Sequence, residues 1–343
     1  MLSKFNRIKI WFKEFYKRCP RKIQFTQNDP PFLIIGHRGA PYKEPENTIP
    51  SFELALQEGA NALEVDIALT GDNHVILWHD WDPNDTTAVL REAGFEPWVK
   101  YKPHPPNVFN IYRKPVNQLT LKEVRDNFDY KKRKGKLHLP ANAHIPTLEE
   151  FFQWASDKEQ ILFVFFDNKA PEAEKGCAVQ ILDYLEKLCQ KYSPHFRIII
   201  ETSFPECLYE MKAAHPELMY SMDIEPPPGF ILEPEDYSPV NAAITNNNNI
   251  ALGLRPRKIT FANWTIFRRI MQTDIKKIRE IRRSDNNEMR LIAATVSKNK
   301  ELRCLVRLGV DGIQTDFPGR LKKITARYKR KIASPELIEK MAG

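Results

Sequence analysis

The chain has 343 residues, 52 Lys/Arg against 44 Asp/Glu, and a formal net charge of +8. This length suffices for one large α/β domain with a full core, and no stretch is long and apolar enough to span a bilayer. The excess base sits at the ends: residues 1–24 hold eight Lys/Arg against one Glu and residues 320–331 hold seven against none. The body between them is therefore mildly acidic, which excludes a diffuse nucleic-acid face.

In chain order, Phe5, Ile8, Phe12 and Phe15 recur at helical spacing, with Lys4, Arg7, Lys9, Lys13 and Lys17 mostly around the rest. Residues 1–24 read as a basic amphipathic helix, within an N-terminal extension spanning 1–30. Such a helix either lies on an anionic membrane surface or packs its apolar stripe beneath the domain. It lacks the apolar core and cleavage site of a secretory signal. Strand-like runs then follow at 32–36, 62–69, 74–78, 161–166, 197–201, 249–252, 290–296 and 311–315. A helix is expected at 48–58, entered through Thr48 or Ser51, and others at 120–128, 146–155, 172–191, 204–213, 266–282 and 298–307. This alternation predicts a parallel sheet covered by helices; it does not separate a closed barrel from an open sheet.

Residues able to carry chemistry gather at strand ends. Phe32–Ile35 runs into Gly36-His37-Arg38-Gly39, so His37 and Arg38 lie at a strand's C-terminal end. In 62–69 the side chains alternate, placing Leu63, Val65 and Ile67 on one face and Glu64 and Asp66 on the other. Two carboxylates on a dry face repel unless a cation lies between them, and hard divalent ions take such oxygens. The plain alternative is an edge strand with its acidic face in water. The run Ile161–Phe166 ends in Asp167-Asn168-Lys169, which adds a third carboxylate and a cation on one face; a simple salt bridge is the alternative there. His79-Asp80 supplies a second histidine.

In these segments the chain resembles the glycerophosphodiester phosphodiesterases. The likeness rests on His37-Arg38-Gly39, Pro45-Glu46-Asn47-Thr48, Glu64-x-Asp66, His79-Asp80, the Pro146-Thr147-Leu148-Glu149-Glu150 segment, and Leu308 to Pro318 as a final strand. It covers roughly 32–321. It implies a (β/α)₈ TIM barrel at 31–321 with its site at the C-terminal face. By resemblance, Glu64, Asp66 and Asp167 hold one divalent cation, Mg²⁺ or Ca²⁺. Arg38 and Lys169 bind phosphate, and Glu46 touches the metal or a substrate hydroxyl. His37 and His79 serve as base and acid. The implied reaction is hydrolysis of a glycerophosphodiester to an alcohol and sn-glycerol 3-phosphate. Spider-venom-type phospholipases D share the barrel and the acidic triad, with Asp in the third place as here, so a lysophospholipase D or sphingomyelinase D reaction on a lysolipid stays open. A non-catalytic lipid-binding barrel is the reading from another class; the intact histidines and carboxylates argue against it.

Two departures from the family pattern stand out. Asp167 replaces the usual glutamate of Glu-x-Lys. The Arg-Thr-Thr stretch that usually follows His-Asp is Trp81-Asp82-Pro83-Asn84-Asp85-Thr86-Thr87 here, without arginine, and opens a proline- and aromatic-rich insertion at 81–119. A short helix over 84–93 is expected in it. The insertion either covers the active-site mouth and contributes to substrate choice or extends the rim. His74, His104, His138, His144, His195 and His215 show no ligand spacing and read as structural or surface groups, with His104 the least certain of them. Cys19, Cys177, Cys189, Cys207 and Cys304 are odd in number and lack CxxC spacing, which suits a reducing compartment. A cytoplasmic enzyme is expected, peripheral to a membrane if residues 1–24 make that contact, with 322–343 as a basic tail.

Overall fold

The computed structural model describes residues 19, 25, 29–96, 98–133, 144–225, 237–254, 261–285 and 289–336. The expected amphipathic helix of residues 1–24 lies outside them, Cys19 apart. Eleven strands are described: β1 (Leu33–His37), β2 (Ala62–Leu69), β3 (Val75–Ile76), β4 (Tyr101–His104), β5 (Asp129–Lys132), β6 (Phe163–Asn168), β7 (Arg197–Thr202), β8 (Met219–Ile224), β9 (Ile250–Leu254), β10 (Arg290–Ala294) and β11 (Gly312–Thr315). Eight of them, β1, β2 and β6 to β11, pair in parallel. The sheet closes because β1 pairs with β2 on one side (Gly36↔Leu63) and with β11 on the other (Ile34↔Ile313).

Side-chain alternation along these strands separates two cores. Leu33, Ile35, Phe165, Ile199, Leu252 and Ile292 pack together inside the barrel. Their neighbours Ile34, Val65, Val164, Ile200, Ala251 and Leu291 point outward, beneath the helices. Continuing the inward series toward each C-terminal end gives His37, Glu64, Asp66, Asp167 and Glu201. The register keeps them level: His37 lies opposite Glu64, Asp66 opposite Asp167, and Asp167 opposite Glu201. An apolar plug thus fills the bottom of the barrel and charged groups crown it.

Local chemistry sets the helix starts. Thr120 and Thr147 each form a capping box, with Glu123 and Glu150, opening the helices Leu121–Asn127 and Leu148–Ala155. The helices Ile49–Gln57, Pro205–Ala214 and Pro318–Arg327 have proline in the first turn, where its missing N–H costs nothing. Gly309, at φ +99, ends the helix Asn299–Leu308 in the left-handed conformation that glycine adopts without strain.

Four expectations need correction. The run at 74–78 is not a barrel strand: Val75–Ile76 pairs antiparallel with Ala68–Leu69 across the tight turn 70–74, and a turn that short cannot make a parallel crossover. The missing strand is Met219–Ile224, whose Ser221 and Asp223 break the apolar pattern. The basic stretch from 322 is folded over its described part, to 336, rather than a tail there: the helix runs to Arg327, Leu321 and Ile324 are buried, and Ile332 bridges Phe32, while 337–343 lie outside the described residues. Its lysines face water while its apolar stripe packs on the barrel. Cys19 and Cys304 are bonded to each other, with Cα atoms 5.6 Å apart, so the cysteines are not all free. No described helix is long and apolar enough to cross a membrane.

Candidate active site

Each charged group at the crown is held by its own strand and by a partner from elsewhere. After β1 the chain turns sharply, with Arg38 at φ 52 and Gly39 at φ 88. Gly36 permits this turn: a Cβ there would meet Gly39 O at 2.8 Å and Ala55 Cβ at 2.9 Å. The Arg38 backbone N–H donates to Glu64 Oε2 at 2.8 Å. Asn47 is also left-handed, and its Nδ2 donates to Asp66 Oδ2 at 2.6 Å while its Oδ1 accepts from the Asp66 N–H. The Pro-Glu-Asn-Thr segment therefore acts as a clamp on the second carboxylate of β2.

Glu64, Asp66 and Asp167 each offer an oxygen within 4.8 Å of the others. Burial, with the charges of Asp66 and Asp167, pushes the Glu64 carboxyl well above the usual carboxylate range. Burial acts on Asp66 the same way, but Arg38, Lys169 and the Asn47 hydrogen bond outweigh it and hold Asp66 below the usual range. Arg38 Nε lies 2.9 Å from Asp66 Oδ2, and Lys169 Nζ lies 2.9 Å from Asp66 Oδ1 and also contacts Asp167. Asp66 Oδ1 is buried and receives no well-directed hydrogen bond. Three crowded, partly unsatisfied carboxylates fit one hard divalent cation, which Glu64, Asp66 and Asp167 would hold. The shorter Asp167 still reaches the cluster.

The two histidines sit beside this cluster, each backed by a carboxylate. His37 Nδ1 lies 2.8 Å from Asp316 Oδ1, whose other oxygen accepts from Ser297 Oγ at 2.7 Å. His37 Nε2 is 3.9 Å from Glu64. His79 Nδ1 lies 2.6 Å from Asp80 Oδ1. Behind Asp80 stands Arg91, from the insertion helix Thr86–Glu92; its Nε donates to Asp80 Oδ1 at 2.8 Å, and its remaining nitrogens engage Glu46 and Glu96. Burial pushes the Asp80 carboxyl up to about 6 against the pull of Arg91. With its Nδ1 engaged by Asp316, His37 presents Nε2 beside the carboxylate cluster as the nitrogen that exchanges protons with a bound molecule.

The structure brings His37, Arg38, Glu64, His79, Asp167 and Lys169 to one cavity of about 800 Å³, with Asp66 beneath it. It places Glu46 elsewhere. Glu46 is 1% exposed and off the cavity wall, with one oxygen on Arg38 and the other on Arg91, so it braces the two arginines instead of meeting substrate or metal. Sequence reasoning assigned no role to Asp316, Ser297 or Arg91. Asp316 had a signal, as a polar residue directly after the last strand. Arg91 had none: it stands eleven residues past Asp80, and no local spacing points it back to that carboxyl. Glu201 and Gln314 also line the cavity, with Gln314 Nε2 donating to Glu201 at 2.9 Å. His74, His104, His144 and His215 lie off the cavity; His138 lies outside the described residues.

Acid–base groups around a carboxylate floor, at the C-terminal mouth of a parallel barrel, define an enzyme that cleaves phosphate esters with a metal's help. The family model for the glycerophosphoryl diester phosphodiesterase family matches residues 37–320. A glycerophosphodiester phosphodiesterase from Caldanaerobacter subterraneus subsp. tengcongensis is 26% identical over 292 residues, 83% of this chain and 94% of that protein. A crystal structure from Silicibacter pomeroyi DSS-3, described under the same family name, superposes with a TM-score of 0.66 at 19% identity, over 89% of this chain and 96% of that one. A phosphodiesterase from Oleispira antarctica, solved in complex with the product sn-glycerol 3-phosphate, gives 0.56 at 16% identity, over 85% and 96%. The chain belongs to the glycerophosphoryl diester phosphodiesterase family. It is a phosphoric diester hydrolase built on a (β/α)₈ barrel.

Proposed function

We propose that this enzyme hydrolyses a glycerophosphodiester to an alcohol and sn-glycerol 3-phosphate, with His79 as general acid and His37 as general base. The observation that carries this reading is the pairing of each histidine with its own carboxylate at one carboxylate-floored cavity. A bound divalent cation would polarise the phosphoryl oxygens and offset their charge in the transition state. Arg38 and Lys169, both held protonated by their acidic neighbours despite burial, offset the remaining negative charge and orient the phosphate. Asp316 holds the His37 ring with Nε2 toward the cavity, ready to take the nucleophile's proton. Asp80 orients His79 through Nδ1, and His79 gives a proton to the departing alcohol oxygen. The nucleophile is water or the substrate's neighbouring hydroxyl; both routes use the same two rings.

The test is release of glycerol 3-phosphate from glycerophosphocholine by purified protein, with Mg²⁺, Ca²⁺ or EDTA, beside Asp66→Asn and His37→Ala. Turnover should require the divalent ion and fall about 10²–10⁴-fold in His37→Ala. Asp66→Asn should in addition lose metal binding by calorimetry. Full turnover in EDTA, or an active His37→Ala protein, would sink the reading.

A further inference from the structure

The insertion that follows His79 carries most of the large apolar side chains left in water. Of the nine such residues among those described, seven lie between Val89 and Ile111, so this exposure is a property of one segment and not of the whole surface. Val108, Phe109 and Ile111 are 70%, 93% and 79% exposed, within four residues of one another. They are displayed by a folded projection. Asn107 Oδ1 accepts from the Phe109 N–H at 3.0 Å, and Asn110 Oδ1 from the Tyr112 N–H at 2.9 Å. Arg113 ties the projection to the insertion helix through Pro106 O, Pro83 O and Glu92 Oε2, at 2.7, 2.9 and 2.8 Å. Phe95 and Trp98, also exposed, form part of the wall of the catalytic cavity, so the apolar surface runs up to its mouth.

Beside this surface lies a cationic two-stranded ribbon. In the antiparallel pair β4–β5, Lys102 stands opposite Lys131 and Tyr101 opposite Lys132. Arg133 Nη2 donates to Gly94 O at 3.1 Å, next to Phe95, and the Lys102 stem also reaches Gly94. Lys102 donates to Glu92 O, so Lys131 and the exposed Lys132 are the charges of the strip that can meet an anion. The catalytic cavity, in contrast, is lined with carboxylates, so this basic strip is not an extension of the phosphate site within it. Apolar side chains projecting into solvent, flanked by Lys and Arg, match a lipid surface, with an acyl boundary for the first and phosphates for the second.

We propose that the insertion is a docking face for an anionic phospholipid surface, with Val108, Phe109 and Ile111 entering the headgroup–acyl boundary and the β4–β5 ribbon meeting lipid phosphates. Docked in this way, the Phe95–Trp98 side of the cavity opens toward the lipid. Resting on the hydrolytic reading above, this favours a phosphodiester that still carries an acyl chain, taken from the surface.

The full-length protein is sedimented with large vesicles of phosphatidylcholine, with and without phosphatidylglycerol. Wild type should pellet with the anionic vesicles. Phe109→Asp/Ile111→Asp should lower partitioning by about tenfold or more, since two large apolar groups leave the lipid. Lys131→Glu/Lys132→Glu should lower it for anionic vesicles and leave phosphatidylcholine binding as it was. Both variants should melt like wild type and hydrolyse soluble glycerophosphocholine at its rate. A wild type that stays in the supernatant, or variants that pellet as it does, overturns the proposal. So does concentration-dependent self-association that Phe109→Asp abolishes without any vesicle binding, which would make the face a contact between copies of the chain. Partitioning is read without turnover, so an inactive wild type would refute the hydrolytic reading and leave the docking result standing.

Discussion

Replacing Arg91 with alanine removes the guanidinium between Asp80, Glu46 and Glu96. The site is almost wholly buried, and Arg91 is the guanidinium hydrogen-bonded to Asp80, while Glu46 keeps Arg38. Breaking a buried ion pair costs about 3–5 kcal/mol. The surviving Glu46–Arg38 pair places Arg91→Ala near the lower end, about 3 kcal/mol, which in a chain of this size lowers Tm by about 4 °C. The catalytic effect is separable from the stability effect. Arg91 sits behind Asp80, and Asp80 orients His79, so its loss should impair the proton given to the leaving group and spare substrate binding. An alkoxide needs that proton; p-nitrophenolate leaves without it. With glycerophosphocholine, kcat should fall about 10²-fold with KM little changed, and with glycerol p-nitrophenyl phosphate it should fall less than about tenfold. Arg91→Lys, which restores charge without the planar fork, should recover part of both losses. The measurements are thermal melting and steady-state kinetics on the two substrates. Equal losses of kcat on both would refute the positioning argument, and a Tm within about 1 °C of wild type would refute the buried-pair argument.

Other consequences follow from the same contacts. Asp316→Asn keeps the shape beside His37 but withdraws the negative charge that steadies the ring once it has taken a proton; kcat should fall by about 10–10²-fold, with divalent-ion affinity unchanged by calorimetry. A fall in metal affinity instead would show that Asp316 acts through the carboxylate cluster. Asp80 gives a pH signature. Its carboxyl is raised from 3.8 to about 6, so the folded protein holds that proton more tightly than the unfolded chain. The associated stability is complete below about pH 4, is lost as pH rises through about 6, and amounts to at most about 3 kcal/mol. Urea midpoints of wild type and Asp80→Asn should therefore diverge in this sense between pH 4 and 7; a difference that stays constant over the range would contradict the raised value.

Features of this protein that depend on a few adjacent residues are legible in its sequence. The period of two in Ala62–Leu69 is enough to put Glu64 and Asp66 on one face, because successive side chains on a strand must alternate. Apolar runs ending at His37 and at Asp167 are enough to put those groups at strand ends, and the family resemblance then supplies the barrel they share. Thr120 and Thr147 mark helix starts because a cap acts within one turn. Tertiary structure alone decided what depends on distance through space. Arg91 reaches Asp80 only because the insertion folds back; Asp316 and Ser297 come from the far end of the chain to hold His37 because the barrel closes β11 onto β1. Closure also assigned Met219–Ile224 to the barrel and Val75–Ile76 to its rim, and turned Glu46 from a substrate ligand into a brace between two arginines. Pattern along the chain fixes which way a side chain points within its own element; which charge meets it across the barrel is set by the packing of elements far apart in sequence, and that no local spacing encodes.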